Sequence, residues 1–537
     1  FGSLSPQTET DAASSARYQR PRRLMCGENC SNSGGALFIP GAVLQHKLTL
    51  LPGERREIRL VFGVAESVSE AQEAADMYTA EDAQSAALKK AEAVYREKYA
   101  SLPVQTPDEK LNRIMNLWLK KQVDFCIVGK KGVRDNLQIA VALLNYRPEK
   151  AKAEILECLR HQFRDGHAVL TWYPYDDTRY SDQPFWIIWA VCQLFKETGD
   201  RSILALPIEW QDGGEASVLD HVKAAVRRLL DDRGRNGLVR IFFADWNDAL
   251  NIPSEEEAES VMLSEQFCLA LRELKALMLW IGDAEYAAFC QKAYDEMKTT
   301  INRAAWDGGW YRRALAPTEN IGSRDSRGSK IYLNAQTWAV LRAVDGLERD
   351  FGFPLNDPPY RGFDPMAGRM SGMLPGLFEN GGVYCHASAF KILMDCKLGR
   401  GDEAVRTLKK IMPDSEQNPS SRSGAEPYVF TNCYSTHPKY YGRSYQSWTT
   451  GTSAWSLMGL YEGILGGKRD YEGLRIEPAF PRAWEHAELK RRFRGADYVI
   501  RYRRTGERSI TVDGNRIKGT LLPDFRDGKI HLVEVAI

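Results

Sequence analysis

The sequence predicts a mainly α-helical protein, built as a closed helical barrel with β structure before and after it. Between about Pro107 and Gly466, apolar residues recur at helical spacing in a succession of segments of roughly 12 to 20 residues. Loops rich in glycine, aromatic and polar residues fall between them, at alternate connections. Helices in antiparallel pairs bring such loops to one end, which then becomes the active face.

The order along the chain is β, helical linker, α, β. Short alternating apolar segments precede and follow the helical region, and a stretch rich in Ala, Glu and Lys from Ser67 to Tyr99 separates the first β segments from it. The expected domains are residues 1–64, the end of a larger β domain; 65–106, a helical linker; 107–466, the helical barrel; and 467–537, a small β domain.

Within the first domain, strands are expected at Ala36–Pro40, Leu48–Pro52 and Glu57–Phe62. Two or three strands are not stable alone, so they belong to a domain that starts before this chain. Phe1 is not an initiator methionine and begins no signal peptide, which also leads us to expect a longer natural chain.

Composition disfavours several classes of function. Lys and Arg number 72 and Asp and Glu 71, so no global charge favours nucleic acid or an anionic membrane. No apolar run reaches the roughly 18 residues of a spanning helix. The ten cysteines are scattered, which fits a reducing cytoplasm. Cys26 and Cys30 have no second pair nearby, so we expect no metal site and no cofactor.

The loop Ala244–Asn251 carries two acids, Asp245 and Asp248, around a tryptophan and an asparagine. Cleavage of a glycosidic bond needs a carboxylic acid that stays protonated near neutral pH, and aromatic neighbours supply the desolvation that raises its pKa. One of these acids is therefore a candidate proton donor. An N-cap and turn built from Asp and Asn explains the same residues equally well.

Three further clusters combine glycine with polar side chains. The loop Gly132–Gln138 precedes a helix and either contacts sugar hydroxyls or forms a solvated helix start. The loop Gly376–His386 offers Glu379, Asn380 and His386 beside three glycines that permit close backbone approach. In Ser447–Trp455, hydroxyl residues and a glycine precede an apolar helix, which suits either an anion site or an ordinary N-cap.

Taken in order, these clusters resemble the motifs of glycoside hydrolase family 94, the group of cellobiose and oligoglucan phosphorylases. The resemblance rests on Gly132-Val-Arg-Asp-Asn-Leu-Gln138, Ser181-Asp-Gln-Pro-Phe-Trp186, Asp245-Trp-Asn-Asp248, Glu379-Asn-Gly-Gly-Val-Tyr-Cys-His386 and Trp448-Thr-Thr-Gly-Thr-Ser-Ala-Trp455. It extends over nearly the whole chain. It implies an (α/α)6 barrel after the remnant of a β-sandwich domain and a helical linker, with a small β domain at the end.

The resemblance also implies roles for individual residues. Asp248 matches the general acid. Inorganic phosphate is the expected co-substrate, with no other cofactor, and a homodimer is the implied assembly. The remaining matches are Arg134, Asp135, Trp246 and Glu379 for sugar binding, and His386, Thr450 and Gly451 for phosphate.

The implied reaction is inverting phosphorolysis of a β-linked gluco-oligosaccharide or disaccharide. Phosphate is already an anionic nucleophile, so this reaction needs one carboxylic acid and no carboxylate base. Phe378 stands where the cellobiose-specific members have lysine, which makes a β-1,2-oligoglucan a reasonable substrate. The family's phosphate-binding arginine has no counterpart, and Lys120, Lys121, Lys130 or Lys131 is the expected substitute.

Two other functions remain open. An inverting hydrolase would need a second carboxylate to activate water, for which Asp135, Asp182 or Glu426 could serve. A catalytically inactive fragment that binds carbohydrate is the second.

Overall fold

The computed structural model describes the backbone at residues 2–4 and 42–44, and residues 47–128, 131–253 and 256–537 in full. Two compact units divide the chain, Phe1–Ala93 and Val94–Ile537. The two cysteines Cys26 and Cys30, the expected strand Ala36–Pro40 and Lys130 lie outside the described residues.

In the first unit, strand β1 (Gly2–Leu4) pairs with β2 (Ala42–Leu44) in antiparallel register. Helix α1 (Val68–Thr79) begins after Ser67, whose hydroxyl accepts a hydrogen bond from the backbone N–H of Glu70 at 3.1 Å. Helix α2 (Ala83–Tyr99) starts in this unit and ends in the second. Helices thus occupy the stretch where the sequence predicts them.

The predicted strands at Leu48–Pro52 and Glu57–Phe62 are wrong: both segments are irregular. A strand forms only where another strand pairs with its N–H and C=O groups. Among the described residues of this unit, none pairs with either segment. The side chains of Phe62 and Val64 are consequently almost fully exposed.

The second unit is mainly helical, which confirms the predicted class. A π-helical turn, Ile114–Trp118, separates α3 from α4, and another, Gly459–Ile464, extends α16. The described helices are α3 (Glu109–Arg113), α4 (Leu119–Cys126), α5 (Val133–Leu143), α6 (Pro148–Leu159), α7 (Gln183–Thr198), α8 (Val218–Asp231), α9 (Val261–Ile281), α10 (Ala284–Ala305), α11 (Leu333–Trp338), α12 (Arg369–Gly372), α13 (Cys385–Lys397), α14 (Gly401–Ile411), α15 (Ser420–Ser423) and α16 (Thr452–Met458).

Six of these helices contact one another in a closed ring: α5, α7, α9, α11, α13 and α16. Others pack outside it, with α6 against α5 and α7, α8 against α7, α10 against α9, and α14 against α13. Helix α7 is apolar on nearly all sides and almost completely buried, as expected of a helix inside a two-layer arrangement.

The apolar spacing of the sequence predicts a helix over residues 331–345, but helix α11 spans only Leu333–Trp338. It ends after Trp338, where the N–H groups of Val340 and Leu341 bond back to Thr337 and Gln336. Val340 has a φ of 58°, a left-handed conformation that such helix ends usually give to glycine. The sequence Trp-Ala-Val-Leu-Arg contains no glycine that would mark the end of a helix. A cavity of about 640 Å³ lies beside this helix end.

The C-terminal strands form a six-stranded sheet, in which only β20 and β23 pair in parallel. One edge is β3, a strand from before the helical region that the sequence did not predict. Its strands, in sheet order, are β22 (Asn515–Arg516), β21 (Ser509–Val512), β23 (Ile530–Ala536), β20 (Ala496–Arg503), β19 (His486–Phe493) and β3 (Val104–Gln105).

Short strands fix the loops between the helices. Several lead directly into a helix: β4 into α5, β9 into α9 and β14 into α13. They are β4 (Lys131–Gly132), β5 (Thr171–Tyr173), β6 (Tyr175–Asp176), β7 (Pro207–Glu209), β8 (Glu215–Ser217), β9 (Glu259–Ser260), β10 (Ala314–Leu315), β11 (Asn320–Ile321), β12 (Ile331–Tyr332), β13 (Asn356–Asp357), β14 (Val383–Tyr384), β15 (Thr431–Tyr434), β16 (Ser444–Ser447), β17 (Gly467–Asp470) and β18 (Gly473–Ile476).

Candidate active site

The loop that carries Asp245 and Asp248 connects α8 to α9 and is held by the segment before α7. The N–H and hydroxyl of Ser181 both donate to the Ala244 carbonyl, at 3.0 and 3.3 Å. Phe242, just before the loop, has a φ of 49°. Backbone strain of this kind in a bulky residue often accompanies functional sites.

Asp245 is a fully buried structural acid. Its carboxylate pairs with Arg313 at 2.5 Å and accepts hydrogen bonds from the Ser260 hydroxyl (2.6 Å) and the Asn247 backbone N–H (2.9 Å). Burial alone would raise the pKa of Asp245, but Arg313 and these donors hold it below its ordinary value. The turn interpretation therefore describes Asp245.

Asp248 differs from Asp245 in being open to solvent, with 42% of its side chain exposed. Its carboxylate pairs with Arg134 Nη2 at 2.6 Å. Its backbone carbonyl accepts hydrogen bonds from Arg369 (2.9 Å) and Asn251 (3.0 Å), which fix the main chain beneath the exposed carboxylate. Of the two acids, Asp248 is the one that a substrate can reach.

Arg134, at the start of α5, joins several acidic groups. The buried guanidinium donates to the Asp245 carbonyl (3.1 Å) and approaches Asp182 at 3.4 Å, in addition to Asp248. It also lies over the Tyr180 ring, 5.3 Å from the centroid. Burial raises the pKa of Asp182 to about 6, although Arg134 and the Trp186 indole oppose the shift.

Close backbone packing gives Arg134 its position. A Cβ on the preceding Gly132 would lie 2.8 Å from the Leu170 carbonyl oxygen, so only glycine lets β4 lie this close to β5. Asp135 follows in the first turn of α5, with 55% of its side chain exposed and 3.9 Å from the Arg134 guanidinium.

Glu379 is a buried carboxyl group on the other side of Asn247. Its Oε2 accepts from the Asn247 side chain at 3.3 Å and from the Ala249 backbone N–H at 3.2 Å. Burial and then the negative charge of Asp248 raise the pKa of Glu379 to about 7. The preceding residue, Phe378, has a φ of 46°, a second strained position at this site.

His386 lies in the first turn of α13, packed edge to face against Trp246 at 4.9 Å between ring centroids. Its Nε2 is 3.0 Å from the side-chain oxygen of Gln138. Burial, together with the positive charge of Arg134, lowers the pKa of His386 to about 3. The imidazole is therefore neutral at physiological pH.

Gly451 lies against His386, and Thr450 precedes it in the chain. A Cβ on Gly451 would meet the imidazole at 2.2 Å, so the ring packs directly on the Gly451 backbone. The Thr450 hydroxyl bonds to the side chains of Asn432 and Thr452, both at 2.8 Å. Trp448, two residues earlier, has a φ of 67°.

All eight predicted site residues thus belong to one network of contacts. Arg134 joins Asp135 and Asp248, Asn247 joins Glu379 to the Asp245–Asp248 loop, and Trp246 joins that loop to His386 and so to Gly451 and Thr450. The chain order had separated these residues by up to 317 positions, from Arg134 to Gly451.

Sequence reasoning missed three residues of the network: Arg313, Tyr180 and Arg369. Arg313 lies on strand-flanking sequence between α10 and α11 and Arg369 begins α12, far along the chain from the acids that they contact. No local pattern could have revealed them, because their partners are defined only by the fold.

Two of the four lysines expected to replace the family's arginine are engaged elsewhere. Lys120 is fully buried and donates to the carbonyls of Tyr99, Ser101 and Leu102, and burial lowers its pKa to about 7. Lys131 donates to the Ile127 carbonyl and pairs with Glu154 at 3.6 Å.

A third expected lysine, Lys121, lies over the rings of Tyr95 and Trp118.

Within the described residues, no group of three or more His, Cys, Asp or Glu side chains is arranged to hold a metal ion. The helices of the same residues include none with the length and apolar run needed to cross a bilayer.

Comparison with protein-family models finds a match to the catalytic domain of the glycosyl hydrolase 94 superfamily over residues 95–466. The chain belongs to the glycosyl hydrolase 94 superfamily. Residues 14–81 match the supersandwich domain of the same superfamily. The family resemblance predicted from the ordered motifs is confirmed, and with it an enzyme of the glycoside phosphorylase type.

Curated relatives in this superfamily carry the names of phosphorylases. Solabiose phosphorylase of Paenibacillus borealis is 38% identical over 94% of this chain and 69% of the relative. The 3-O-beta-D-glucopyranosyl-beta-D-glucuronide phosphorylase of the same organism is 29% identical, over 97% and 72%. N,N'-diacetylchitobiose phosphorylase of Vibrio proteolyticus is 28% identical, over 94% and 71%.

Among solved structures, the fold is similar to that of a glycoside hydrolase family 78 rhamnosidase of Bacillus sp. GL1, with a TM-score of 0.53. The two share 15% sequence identity, over 81% of this chain and 44% of the rhamnosidase. At that identity the likeness concerns the fold alone.

Proposed function

We propose that this glycosyl hydrolase 94 chain catalyses reversible, inverting phosphorolysis of a β-linked disaccharide or short gluco-oligosaccharide on an (α/α)6 barrel. The products are α-glucose 1-phosphate and a shortened sugar. The observation that carries the proposal is a solvent-accessible carboxyl group, Asp248, in the same contact network as the neutral His386 imidazole against Gly451. The closed ring of helix contacts supports the barrel.

In the phosphorolytic direction, Asp248 gives its proton to the glycosidic oxygen. Phosphate, held by His386, Thr450 and Gly451, attacks the anomeric carbon from the opposite face. The bond to the glycosidic oxygen breaks while the bond to a phosphate oxygen forms, so a β-glucoside becomes an α-phosphate. Since phosphate brings its own negative charge, no carboxylate base takes part.

The two directions start from different forms of Asp248. Synthesis starts from the carboxylate, the form that the ion pair with Arg134 stabilises. Phosphorolysis starts from the carboxylic acid, so sugar binding must loosen that contact. Arg134 then keeps Asp182 and the Asp245 carbonyl as partners. Its buried positive charge is therefore not left unpaired when the contact with Asp248 loosens.

The sugar-binding residues divide between the two sides of the scissile bond. Arg134, Asp135 and Trp246 hold the glucosyl unit, and Glu379 contacts the leaving sugar. With a pKa of about 7, Glu379 carries a proton over much of the neutral range and can donate a hydrogen bond to a sugar hydroxyl. Its proton also makes Glu379 the alternative acid.

The relatives support the proposed substrate class. The relatives reported above are named for phosphorylases of specific sugars, and one of those names specifies a glucopyranosyl group in β linkage. The cyclic beta-(1,2)-glucan synthase NdvB of Rhizobium meliloti is 28% identical over 93% of this chain but only 20% of its own length. A β-1,2-oligoglucan therefore stays one member of the acceptor panel.

Synthesis from α-glucose 1-phosphate and a panel of acceptors, with phosphate release as the readout, tests the proposal. The panel includes glucose, glucuronic acid, N-acetylglucosamine and β-1,2-oligoglucans, and other hexose 1-phosphates serve as alternative donors. We expect phosphate release with at least one acceptor and a β-linked product. Absence of release with every pair would contradict the proposal.

A hydrolase would behave differently. Of its candidate bases, Asp182 is fully buried and Glu426 accepts hydrogen bonds from Ser447 and Trp448, which leaves Asp135 as the accessible acid. Equal rates of sugar release with and without phosphate would identify a hydrolase. Binding of oligosaccharide without turnover in either direction would identify an inactive carbohydrate-binding chain.

A further inference from the structure

The hydrogen bonds around Gln138 decide which nitrogen of His386 carries the proton. The indole Nε1 of Trp455 lies 2.7 Å from the side-chain oxygen of Gln138. An indole N–H only donates, so the atom facing it must be the amide oxygen and not the amide nitrogen. The orientation of the Gln138 amide is therefore fixed by chemistry, with its nitrogen donating to the Arg134 carbonyl at 3.3 Å.

The same oxygen lies 3.0 Å from Nε2 of His386. A carbonyl oxygen only accepts, so Nε2 must be the protonated nitrogen of the neutral ring. Nδ1 is then a lone pair. Among the described residues, the hydrogen bond that the His386 ring makes is the one at Nε2. Gly451 packs on the part of the ring around Cε1, about equally close to both nitrogens.

We propose that Gln138 is a positioning residue that holds His386 in the Nε2–H tautomer, so that Nδ1 accepts a hydrogen bond from an O–H group of the bound anion. The inference rests on the proposed function, in which His386 and Gly451 hold phosphate. It assigns the site a preference for tetrahedral oxyanions that carry a proton at neutral pH, such as hydrogen phosphate and hydrogen arsenate. Sulfate has no O–H to donate and leaves the lone pair unpaired.

Burial supports this reading of the imidazole. His386 is enclosed by the rings of Trp246, Phe390 and Trp455, and the charged group acting on it is the Arg134 guanidinium, which disfavours an imidazolium. The imidazole is therefore neutral when the anion binds, and its Nδ1 can accept a hydrogen bond.

Competition between anions tests the proposal. Phosphorolysis at pH 7 gives the KM of phosphate, the KM of arsenate as its replacement, and the inhibition constant of sulfate. We expect sulfate to bind about 10- to 100-fold more weakly than phosphate, the worth of one hydrogen bond to a charged group. Arsenate should resemble phosphate. Equal affinities for sulfate and phosphate would overturn the proposal.

Gln138→Glu should abolish the preference for phosphate over sulfate. The carboxylate still accepts from Trp455 and His386, but its negative charge favours the imidazolium, whose Nδ1–H then donates to any oxyanion. The ratio of sulfate to phosphate affinity should therefore approach one. If Gln138 only supports packing, this variant will weaken both anions alike and leave the ratio at its original value.

Gln138→Leu has a matched control elsewhere in the fold. Gln162 is also buried, its oxygen lies 2.8 Å from Nδ1 of His221, and its amide donates to the carbonyls of Gly166 and His221. Gln138→Leu should raise the KM of phosphate about 10- to 100-fold, as losses of histidine-orienting partners do at metal sites. Gln162→Leu should leave that KM unchanged, even if both variants lose thermal stability.

Nuclear magnetic resonance of the enzyme labelled with ¹⁵N-histidine reads the tautomer directly. Correlations between ring protons and nitrogens should report an unprotonated Nδ1 for the histidine whose signals vanish in His386→Asn. A protonated Nδ1 would overturn the proposal while leaving phosphorolysis intact. Sugar release that is independent of phosphate would instead overturn the proposed function, so the two failures are distinguishable.

Discussion

The acid half and the anion half of the pocket differ in how they handle charge. The acid half, around Asp248, is a network of ion pairs in which Arg134 and Arg313 contact Asp182, Asp245 and Asp248. The anion half, around His386, is formed by neutral groups: an imidazole, an amide, an indole and the Gly451 backbone. In the proposed function, one half moves a proton, and the other receives a ligand that brings its own charge.

This difference explains why the two neighbouring acids of one loop have different roles. Asp245 has all of its charge compensated by buried partners, so it holds the loop in place. Asp248 has one ion-pair partner and an exposed face, so a substrate can reach its carboxylate. A buried ion pair fixes geometry, whereas a half-exposed one can be exchanged.

Asp248→Asn should have the largest effect, because it removes the proton that the acid half transfers. We expect kcat to fall about 10²- to 10⁴-fold, the usual contribution of a general acid, with little change in sugar affinity. Steady-state phosphorolysis and calorimetric titration with the sugar measure the two quantities. Glu379→Gln is the isosteric comparison, and a larger loss of kcat there would transfer the role of acid to Glu379.

Arg313→Met should destabilise the fold of the acid half, because it removes the buried ion pair with Asp245. It leaves the Asp245 carboxylate buried without its cation, which costs about 3–5 kcal/mol in the free energy of unfolding. Urea unfolding followed by circular dichroism measures the loss. Arg369→Met, which removes an arginine from the exposed rim, is the control and should cost less than about 1 kcal/mol. Similar losses of stability in both variants would mean that the buried ion pair contributes no more to folding than an exposed arginine does.

His386→Ala should break the anion half without touching the acid half. We expect the KM of phosphate to rise about 10- to 100-fold while the KM of the sugar changes little. Initial rates over a matrix of phosphate and sugar concentrations separate the two constants. If the sugar constant rises and the phosphate constant does not, His386 lies outside the phosphate site.

Glu379→Gln should have the smallest effect on turnover and a distinct effect on stability. The folded pKa of about 7 lies above the ordinary value of 4.5, so folding favours the protonated form. The stability of the wild type relative to Glu379→Gln should therefore be highest below about pH 4.5 and decline as the pH rises to about 7. Urea midpoints of both proteins at pH 5 and pH 8 measure the change.

If the difference between the two proteins were constant across that range, Glu379 would not be the buried, protonated group described above. The negative charge of Asp248 helps to raise the pKa of Glu379. In Asp248→Asn that charge is lost, so the pKa of Glu379 should be lower. The decline in stability should therefore end at a lower pH in this variant than in the wild type.

Much of the helical fold was predictable because helices are encoded locally. Apolar periodicity predicts helices over residues 263–281 and 284–304, and the structure has α9 over Val261–Ile281 and α10 over Ala284–Ala305. Helix α11 was not predictable, because its end depends on Val340 adopting a left-handed conformation that its side chain disfavours. The segments Leu48–Pro52 and Glu57–Phe62 were mispredicted because a strand exists only through pairing with another strand.

By itself, the sequence determined the mainly helical class and the family, since these are carried by periodicity and by motifs that keep their order along the chain. Only the tertiary structure shows why Asp245 and Asp248 differ in exposure and in charge compensation, because the partners that distinguish them, Arg313 and Arg134, lie 68 and 114 positions away. The tautomer of His386 was decided in the same way, through Gln138 and Trp455. Burial and hydrogen bonding set the charge of a side chain, and both are properties of the folded chain alone.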